Sequence, residues 1–70
     1  MPLKPLRPRE VIRKLEKAGF ALTRQKGSHA RYIKANRGVT VPIHPGDVPA
    51  TVIRWILKQA GPSENEWDAL

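Results

Sequence analysis

Residues 20–43 read FALTRQKGSHARYIKANRGVTVPI, and this stretch decides the fold of the chain. Apolar, β-branched and aromatic side chains recur there in short runs, which is typical of strands. The pattern predicts three strands, over residues 20–26, 29–35 and 39–43. Turn-forming residues separate the strands, first Gly27-Ser28 and then Asn36-Arg37-Gly38.

Strict alternation would assign the side chains of each strand to two faces of a sheet. In the first strand it predicts Phe20 and Leu22 on one face and Gln25 on the other. Pro42 has no N–H group to donate to a neighbouring strand, so the third strand is expected at an edge of the sheet.

The pairing between the second and third strands decides which residues share a face. If Tyr32 and Val41 both point into the core, the numbers of paired residues sum to an odd value near 73 or 75. His29 and His44 then lie at the same end of the sheet on the opposite face, either directly across from each other or diagonal.

Apolar residues at helical spacing flank the strand region on both sides. The first helix is predicted to begin at Pro8 and to end at Gly19, because proline suits a first helical turn and glycine suits a left-handed cap. The second helix is predicted to begin at Pro49 and to end at Gly61-Pro62.

The predicted fold class is therefore α+β, in the order α-β-β-β-α. A three-stranded antiparallel sheet carries two helices on one face and leaves the other face open. Seventy residues allow one domain, residues 1–70, with a loose N-terminal arm over 1–6. Residues 63–70 are expected to form a C-terminal tail or a short helical turn, since Ser63-Glu64-Asn65-Glu66 has the spacing of a capping box.

Composition narrows the compartment and the chemistry. The chain has no cysteine, which excludes a disulfide and favours a reducing compartment. Its start lacks the character of a signal peptide, and no run approaches the ~18 apolar residues that span a membrane. We therefore expect a cytoplasmic protein with no membrane partner. Two histidines with few carboxylates nearby make poor metal ligands, so neither a metal nor another cofactor is expected.

The formal net charge is +7, from 13 lysines and arginines against 6 acidic residues. Three of those acidic residues, Glu64, Glu66 and Asp68, lie close to the C-terminus. The rest of the chain is a strongly basic body, which attracts phosphate chains. Two alternatives stay open, a solvated surface without any anionic ligand and a surface for an acidic partner protein.

Gly27-Ser28-His29 is the most informative element for function, with Lys26 before it and Arg31 after it. Histidine both takes and gives a proton near neutral pH. In a basic groove it favours RNA as the ligand, because the 2′-hydroxyl of ribose becomes a nucleophile once it is deprotonated. The alternative is a surface histidine that only forms hydrogen bonds.

Two further residues are weighed as auxiliary groups. His44 either acts as a second proton carrier, binds phosphate, or caps the loop before the second helix. Ser28 has the chemistry of a nucleophile, but no acidic residue follows to complete a triad with a histidine. An ordinary turn residue is therefore favoured at Ser28.

Cations near the histidine are expected to line a path for phosphates, because lysine and arginine stabilise charge on a transferring phosphoryl group. The expected RNA-binding residues are Arg24, Lys26, Arg31, Lys34 and Arg37. The alternative for some of them is solvated charge on strand edges. Among the aromatic residues, Phe20 and Trp55 are expected in the core or at its margin, and Trp67 is expected to pin the C-terminal tail. Tyr32 is the candidate for base stacking.

Four stretches lie in order along nearly the whole chain: LEKAGF (15–20), RQKGSH (24–29), VTVPIHP (39–45) and IRWILKQAG (53–61). Together they resemble the HicA-type toxins of HicAB toxin–antitoxin systems. The resemblance implies a double-stranded-RNA-binding-like fold and an mRNA interferase, a metal-independent endoribonuclease that halts translation. It also implies a HicB-type antitoxin as partner and His29 as the catalytic residue. Ala30 follows that histidine where the resemblance leads us to expect a larger or polar residue.

Two other interpretations of the same residues remain. One is a double-stranded-RNA-binding-like module that binds RNA without cutting it. The other is a domain whose main role is binding a partner protein. Both suit the predicted fold and the positive charge, so the sequence alone separates neither of them from a ribonuclease.

Overall fold

The computed structural model describes residues 3–70. Its elements are α1 (Pro8–Lys17), β1 (Ala21–Lys26), β2 (His29–Lys34), β3 (Arg37–Pro42), α2 (Ala50–Ala60) and α3 (Glu64–Asp68). The predicted α-β-β-β-α order is confirmed, and α3 follows it. The three strands form one antiparallel sheet in the order β1-β2-β3, so the structure is an α+β fold of the double-stranded-RNA-binding type.

The ends of the two long helices follow the predicted signals. Pro8 occupies the first turn of α1, where its missing N–H has no helical partner. Gly19, at φ +103°, follows the last turn, and its N–H donates to the carbonyl of Glu16 at 3.0 Å. The N–H of Phe20 reaches back to the carbonyl of Leu15, also at 3.0 Å. This pair of hydrogen bonds is a Schellman motif, and it turns the chain from α1 into β1.

In the register of β2 with β3, side chains lie on the predicted faces, but the sum of paired residue numbers differs from the prediction. His29 pairs with Pro42 and Tyr32 with Val39, so paired numbers sum to 71 rather than to 73 or 75. Because the sum is still odd, Tyr32 and Val41 share the buried face as expected. Burial raises the pKa of the Tyr32 hydroxyl, and the nearby Glu16 carboxylate raises it further. Tyr32 is thus part of the core and is not available to stack on a base.

A bulge changes the faces of β1. Leu22 pairs with Tyr32, but the next pair is Arg24 with Arg31, so Thr23 is an extra residue in the strand. Simple alternation would place Leu22 and Gln25 on opposite faces, and that prediction is wrong. Gln25 pairs with Ala30 on the helix side of the sheet, the same side as Leu22.

The second turn also differs from the prediction. It consists of Ala35 and Asn36, and Ala35 adopts a left-handed φ of +54°. Arg37 and Gly38 therefore belong to β3, which begins two residues earlier than predicted and ends at Pro42. As expected for a strand that contains proline, β3 lies at an edge of the sheet.

The core lies between the sheet and the helices. Its buried apolar residues are Val11, Leu15, Phe20, Ala30, Tyr32, Val39, Val41, Val48, Ile53, Ile56, Leu57, Ala60 and Trp67. Ala30 is fully buried, which explains why a small residue follows His29. Phe20 is in the core as expected, whereas Trp55 is 64% exposed, so its predicted place in the core or at its margin is wrong.

Both ends of the described chain contact the body of the protein. Of the predicted N-terminal arm, Met1 and Pro2 lie outside the described residues, and Leu6 exchanges two backbone hydrogen bonds with Val48. The capping box predicted at the other end is present. Backbone and side-chain hydrogen bonds with Ser63 hold the pKa of the Glu66 carboxyl below its usual value.

A buried lysine of α1 fastens α3 to the core. Lys14 is only 8% exposed, and its ammonium donates to the carbonyl of Trp67 at 2.8 Å. It also lies 5.5 Å from the centre of the Trp67 ring. This contact completes the burial of Trp67, which pins the C-terminal tail as predicted.

We expect Lys14→Met to lower the free energy of unfolding by about 1.5–3 kcal/mol, the usual range for a hydrogen bond to a charged group. Urea unfolding followed by circular dichroism measures the loss. The matched control is Lys17→Met, which removes an exposed lysine from the same helix and should change stability by no more than about 0.5 kcal/mol. Equal urea midpoints for both variants would contradict this role of Lys14.

Candidate functional site

The side of the sheet opposite the helices, here called the open face, presents three rows of residues. Each row crosses the strands in the order β1, β2, β3. The rows are Lys26–His29–Pro42, Arg24–Arg31–Thr40 and Ala21–Ile33–Gly38. Three of the five predicted RNA-binding residues, Arg24, Lys26 and Arg31, therefore share one surface with His29.

His29 begins β2 directly after the turn formed by Gly27 and Ser28. Gly27 adopts φ +58°, a left-handed conformation that favours glycine, and this allows the tight reversal before the histidine. The His29 side chain is exposed, and it forms no hydrogen bond with any other residue between 3 and 70. Its ring nitrogens are thus available to a ligand.

The β1 bulge determines which cations accompany His29. If the regular ladder continued from the Leu22–Tyr32 pair without a bulge, Thr23 would pair with Arg31, and Arg24 would pair with Ala30 and face the helices. With the bulge, Arg24 pairs with Arg31 and Lys26 pairs with His29, so both cations lie on the open face. The hydroxyl of Thr23 donates to the carbonyl of Arg31 at 3.1 Å and holds the bulge in place. Bulges often re-aim side chains in this way.

The charges on the open face are not balanced locally. Arg24 and Arg31 are cross-strand neighbours, an arrangement of like charges that destabilises a sheet. None of the three strands contains an acidic residue. The two ion pairs between residues 3 and 70 lie elsewhere, at Arg7–Asp47 and Arg13–Glu10. A bound polyanion would relieve this repulsion.

Arg31 is held in one position on the sheet. Its guanidinium donates to the hydroxyl of Thr40 at 3.1 Å and lies over Gly38. A Cβ atom at position 38 would come within 2.7 Å of the guanidinium carbon of Arg31. Gly38 has no Cβ, so the arginine can lie flat across β3 with its outer edge free.

Lys34 and Arg37 are not brought together with His29. They pair with each other on the helix side of the sheet. The ammonium of Lys34 donates to the carbonyl of Ala18 at 2.6 Å, and the guanidinium of Arg37 donates to the carbonyl of Gln59 at 3.4 Å. These two cations bind the C-terminal ends of α1 and α2, where helix carbonyls attract positive charge.

Ser28 and His44 lie beside the same turn. The N–H of Ile43 donates to the carbonyl of Ser28 at 2.5 Å, and exposed His44 follows immediately. The residue that precedes α2 is Pro49, and no side chain caps that helix. The structure therefore gives His44 no capping role at α2 and places it near the end of the sheet that carries His29.

The sequence interpretation missed two residues of the open face, Gly38 and Thr40, and the exposure of Trp55 on α2. Gly38 was predicted as a turn residue, although its role is to make room for Arg31. Thr40 was treated only as a strand residue, and Trp55 was expected against the core. The two-residue spacing of Gly38 and Thr40 is the one signal that indicated a shared face.

Between residues 3 and 70, no cluster of three or more histidine, aspartate or glutamate side chains is arranged to hold a metal ion. Across that range no helix has both the length and the apolar character required to cross a bilayer.

Comparison with known proteins supports the resemblance seen in the sequence. The family model described as the HicA toxin of bacterial toxin–antitoxin systems matches residues 8–61, from the start of α1 to the glycine that ends α2. A comparison with curated proteins finds none that matches. The matched range contains all three strands and both long helices, and so the chain belongs to the HicA toxin family of bacterial toxin–antitoxin systems.

Proposed function

We propose that this toxin is a metal-independent endoribonuclease that cleaves mRNA on the open face, with His29 as its catalytic residue. The observation that carries the proposal is the row of Lys26, His29 and Pro42 beside the row of Arg24, Arg31 and Thr40. An exposed imidazole lies there among cations that no acidic side chain of the strands neutralises.

The proposed reaction is an internal transesterification of RNA. The neutral imidazole of His29 takes the proton of a ribose 2′-hydroxyl, and the 2′-oxygen forms a bond to the adjacent phosphorus. The bond from phosphorus to the 5′-oxygen of the next nucleotide breaks, and that oxygen takes up a proton. The products are a 2′,3′-cyclic phosphate on one fragment and a 5′-hydroxyl on the other.

The residues near His29 are proposed to fill the remaining roles in the reaction. Lys26, directly across from His29, stabilises the negative charge on the reacting phosphate. Arg24 and Arg31 bind the phosphates of flanking nucleotides. His44 is the candidate to protonate the leaving 5′-oxygen, since it lies near the same turn. Ser28 serves through its backbone carbonyl rather than as a nucleophile.

RNA on this surface contacts the protein through phosphates more than through base edges, so modest sequence preference is expected. Lys34 and Arg37 lie outside the proposed path, because their side chains are bonded to helix carbonyls on the opposite side. The biological setting we propose is the cytoplasm, with mRNA as substrate and a HicB-type antitoxin as the neutralising partner.

The defining experiment uses a labelled RNA of about 20 nucleotides, incubated with the purified protein in excess EDTA. We expect cleavage, with products ending in a 2′,3′-cyclic phosphate by mass spectrometry. The matched substrate carries 2′-O-methyl groups, lacks the nucleophile and should stay intact. Binding of the unmodified RNA without any cleavage would instead identify a non-catalytic RNA-binding module.

A further inference from the structure

Trp55 is the most exposed of the large apolar residues in the described chain. It lies in the middle of α2, and 64% of its surface is accessible. Ile53, Ile56 and Leu57 turn the other side of α2 into the core. Tryptophan is enriched at protein interfaces relative to the rest of the surface, so the surroundings of this ring are a candidate contact surface.

The surroundings of Trp55 form a shallow depression, here called the α2 outer patch, lined by Thr51, Arg54, Trp55 and Lys58. The ammonium of Lys58 lies 5.4 Å from the centre of the indole ring, in a cation–π contact. This contact holds the ring against its own helix and leaves the remainder of its surface open to a partner.

All the charged side chains of the α2 outer patch are positive. The patch carries Arg54 and Lys58, and α2 contains no acidic residue. Neither cation forms an ion pair with any residue from 3 to 70. The occupant that complements this patch is therefore an acidic segment with an apolar side chain to cover the indole.

The position of the patch separates it from the proposed RNA path. α2 packs on the helix side of the sheet through Ile53, Ile56 and Leu57, whereas His29 lies on the open face. Trp55 points away from the sheet on the far side of the core. RNA that crosses the open face would have to wrap around the molecule to reach the patch, so a protein occupant is favoured over RNA.

We propose that the α2 outer patch is an anchoring surface for an acidic segment of the antitoxin, remote from the open face. The proposal rests on the antitoxin partner that membership of a toxin–antitoxin family implies, and it does not depend on the cleavage chemistry of His29. Tryptophan and arginine are the residues that most often dominate the affinity of protein interfaces. An anchor of this kind holds the antitoxin on the toxin independently of whatever covers the open face.

The test measures the affinity of the purified cognate antitoxin for the full-length toxin by isothermal titration calorimetry. We expect Trp55→Ala to weaken binding about 10-fold or more, and Arg54→Ala to weaken it by several-fold. The matched control is Arg9→Ala, which removes an exposed arginine from α1 and should leave the affinity within about 2-fold. Binding of the test RNA should be unchanged by Trp55→Ala.

A second measurement uses the unaltered proteins. Trp55 is exposed and Trp67 is buried, so acrylamide quenches mainly the fluorescence of Trp55 in the free toxin. The antitoxin used in this measurement has no tryptophan, either naturally or after replacement of each tryptophan by phenylalanine. When bound, it should protect the fluorescence of Trp55 from quenching by acrylamide. Unchanged quenching in the complex, or unchanged affinity of Trp55→Ala, would overturn the proposal. The proposal would also be overturned if Trp55→Ala lost RNA binding, or lost self-association, while its affinity for the antitoxin stayed intact.

Discussion

His29→Ala should reduce the rate of RNA cleavage by about 100- to 10,000-fold, the range over which a positioned acid or base contributes to catalysis. The substitution removes the proposed acceptor of the 2′-hydroxyl proton while the cations of the open face remain. Cleavage of the labelled RNA under single-turnover conditions measures the rate. Induction of the variant in bacteria should no longer arrest growth.

Stability and binding must be measured on the same variant, because a lost activity has several causes. His29 is exposed, so we expect the free energy of unfolding to change by no more than about 0.5 kcal/mol. RNA affinity should change little, since we propose that Lys26, Arg24 and Arg31 make the phosphate contacts. The hypothesis fails if the folded His29→Ala protein cleaves RNA at the original rate.

His44→Ala is the comparison variant, since it removes a second exposed histidine near the same turn, the one proposed as the acid. If His44 donates the proton to the leaving oxygen, its loss slows cleavage, and an RNA with a better leaving group at the 5′-oxygen restores the rate. The same RNA should not rescue His29→Ala, because that variant lacks the base. Identical behaviour of both variants with both substrates would contradict the division of roles.

The order of elements was predictable because the local signals in this chain agree with its tertiary structure. Pro8, Gly19 and Gly61 mark helix ends by backbone preferences that no long-range contact overrides. The odd register of β2 and β3 was also predictable, since Tyr32 and Val41 are large apolar residues that must share the buried face. The exact sum of paired residue numbers was not predictable, because it depends on the position of the Ala35–Asn36 turn.

The composition of the open face was only partly predictable, for a specific physical reason. A bulge adds one residue to a strand, and no residue type in Leu22-Thr23-Arg24 requires one. That bulge moves Arg24 and Lys26 beside His29, so sequence alternation alone would not have grouped them. Lys34 and Arg37 were predicted with them by proximity in sequence, whereas the register places them on the opposite face.

The position of Trp55 on α2 shows a similar limit of sequence-based prediction for a helix. Its neighbours Ile53, Ile56 and Leu57 form a complete apolar stripe without it, so helical periodicity did place Trp55 outside the stripe. The sequence interpretation nevertheless expected Trp55 in the core or at its margin. The structure shows instead that the core is already filled by residues of that stripe and by Trp67 from α3.

Gly38→Ala should weaken RNA binding by about 10-fold or more, although position 38 itself offers no side chain to RNA. The added methyl group would collide with the guanidinium of Arg31, which comes within 2.7 Å of the position that a Cβ would occupy. Arg31 is a flexible side chain, so it moves off the sheet and the backbone stays in place. Its hydrogen bond to Thr40 and its proposed contact with a flanking phosphate are then lost.

A double-mutant cycle isolates this effect from any general damage to β3. Arg31→Ala alone should weaken binding about 10- to 100-fold, the loss of a charge-assisted hydrogen bond. In that background Gly38→Ala should cause almost no further loss, because the side chain with which the methyl group collides is gone. Arg37→Ala, which removes the same charge from the helix side of β3, serves as the control and should stay within about 2-fold of the original affinity. Fluorescence anisotropy with the 2′-O-methyl RNA gives the affinities without cleavage. Equal losses from Gly38→Ala in both backgrounds would show that Gly38 acts independently of Arg31 and would remove the arginine from the proposed phosphate path.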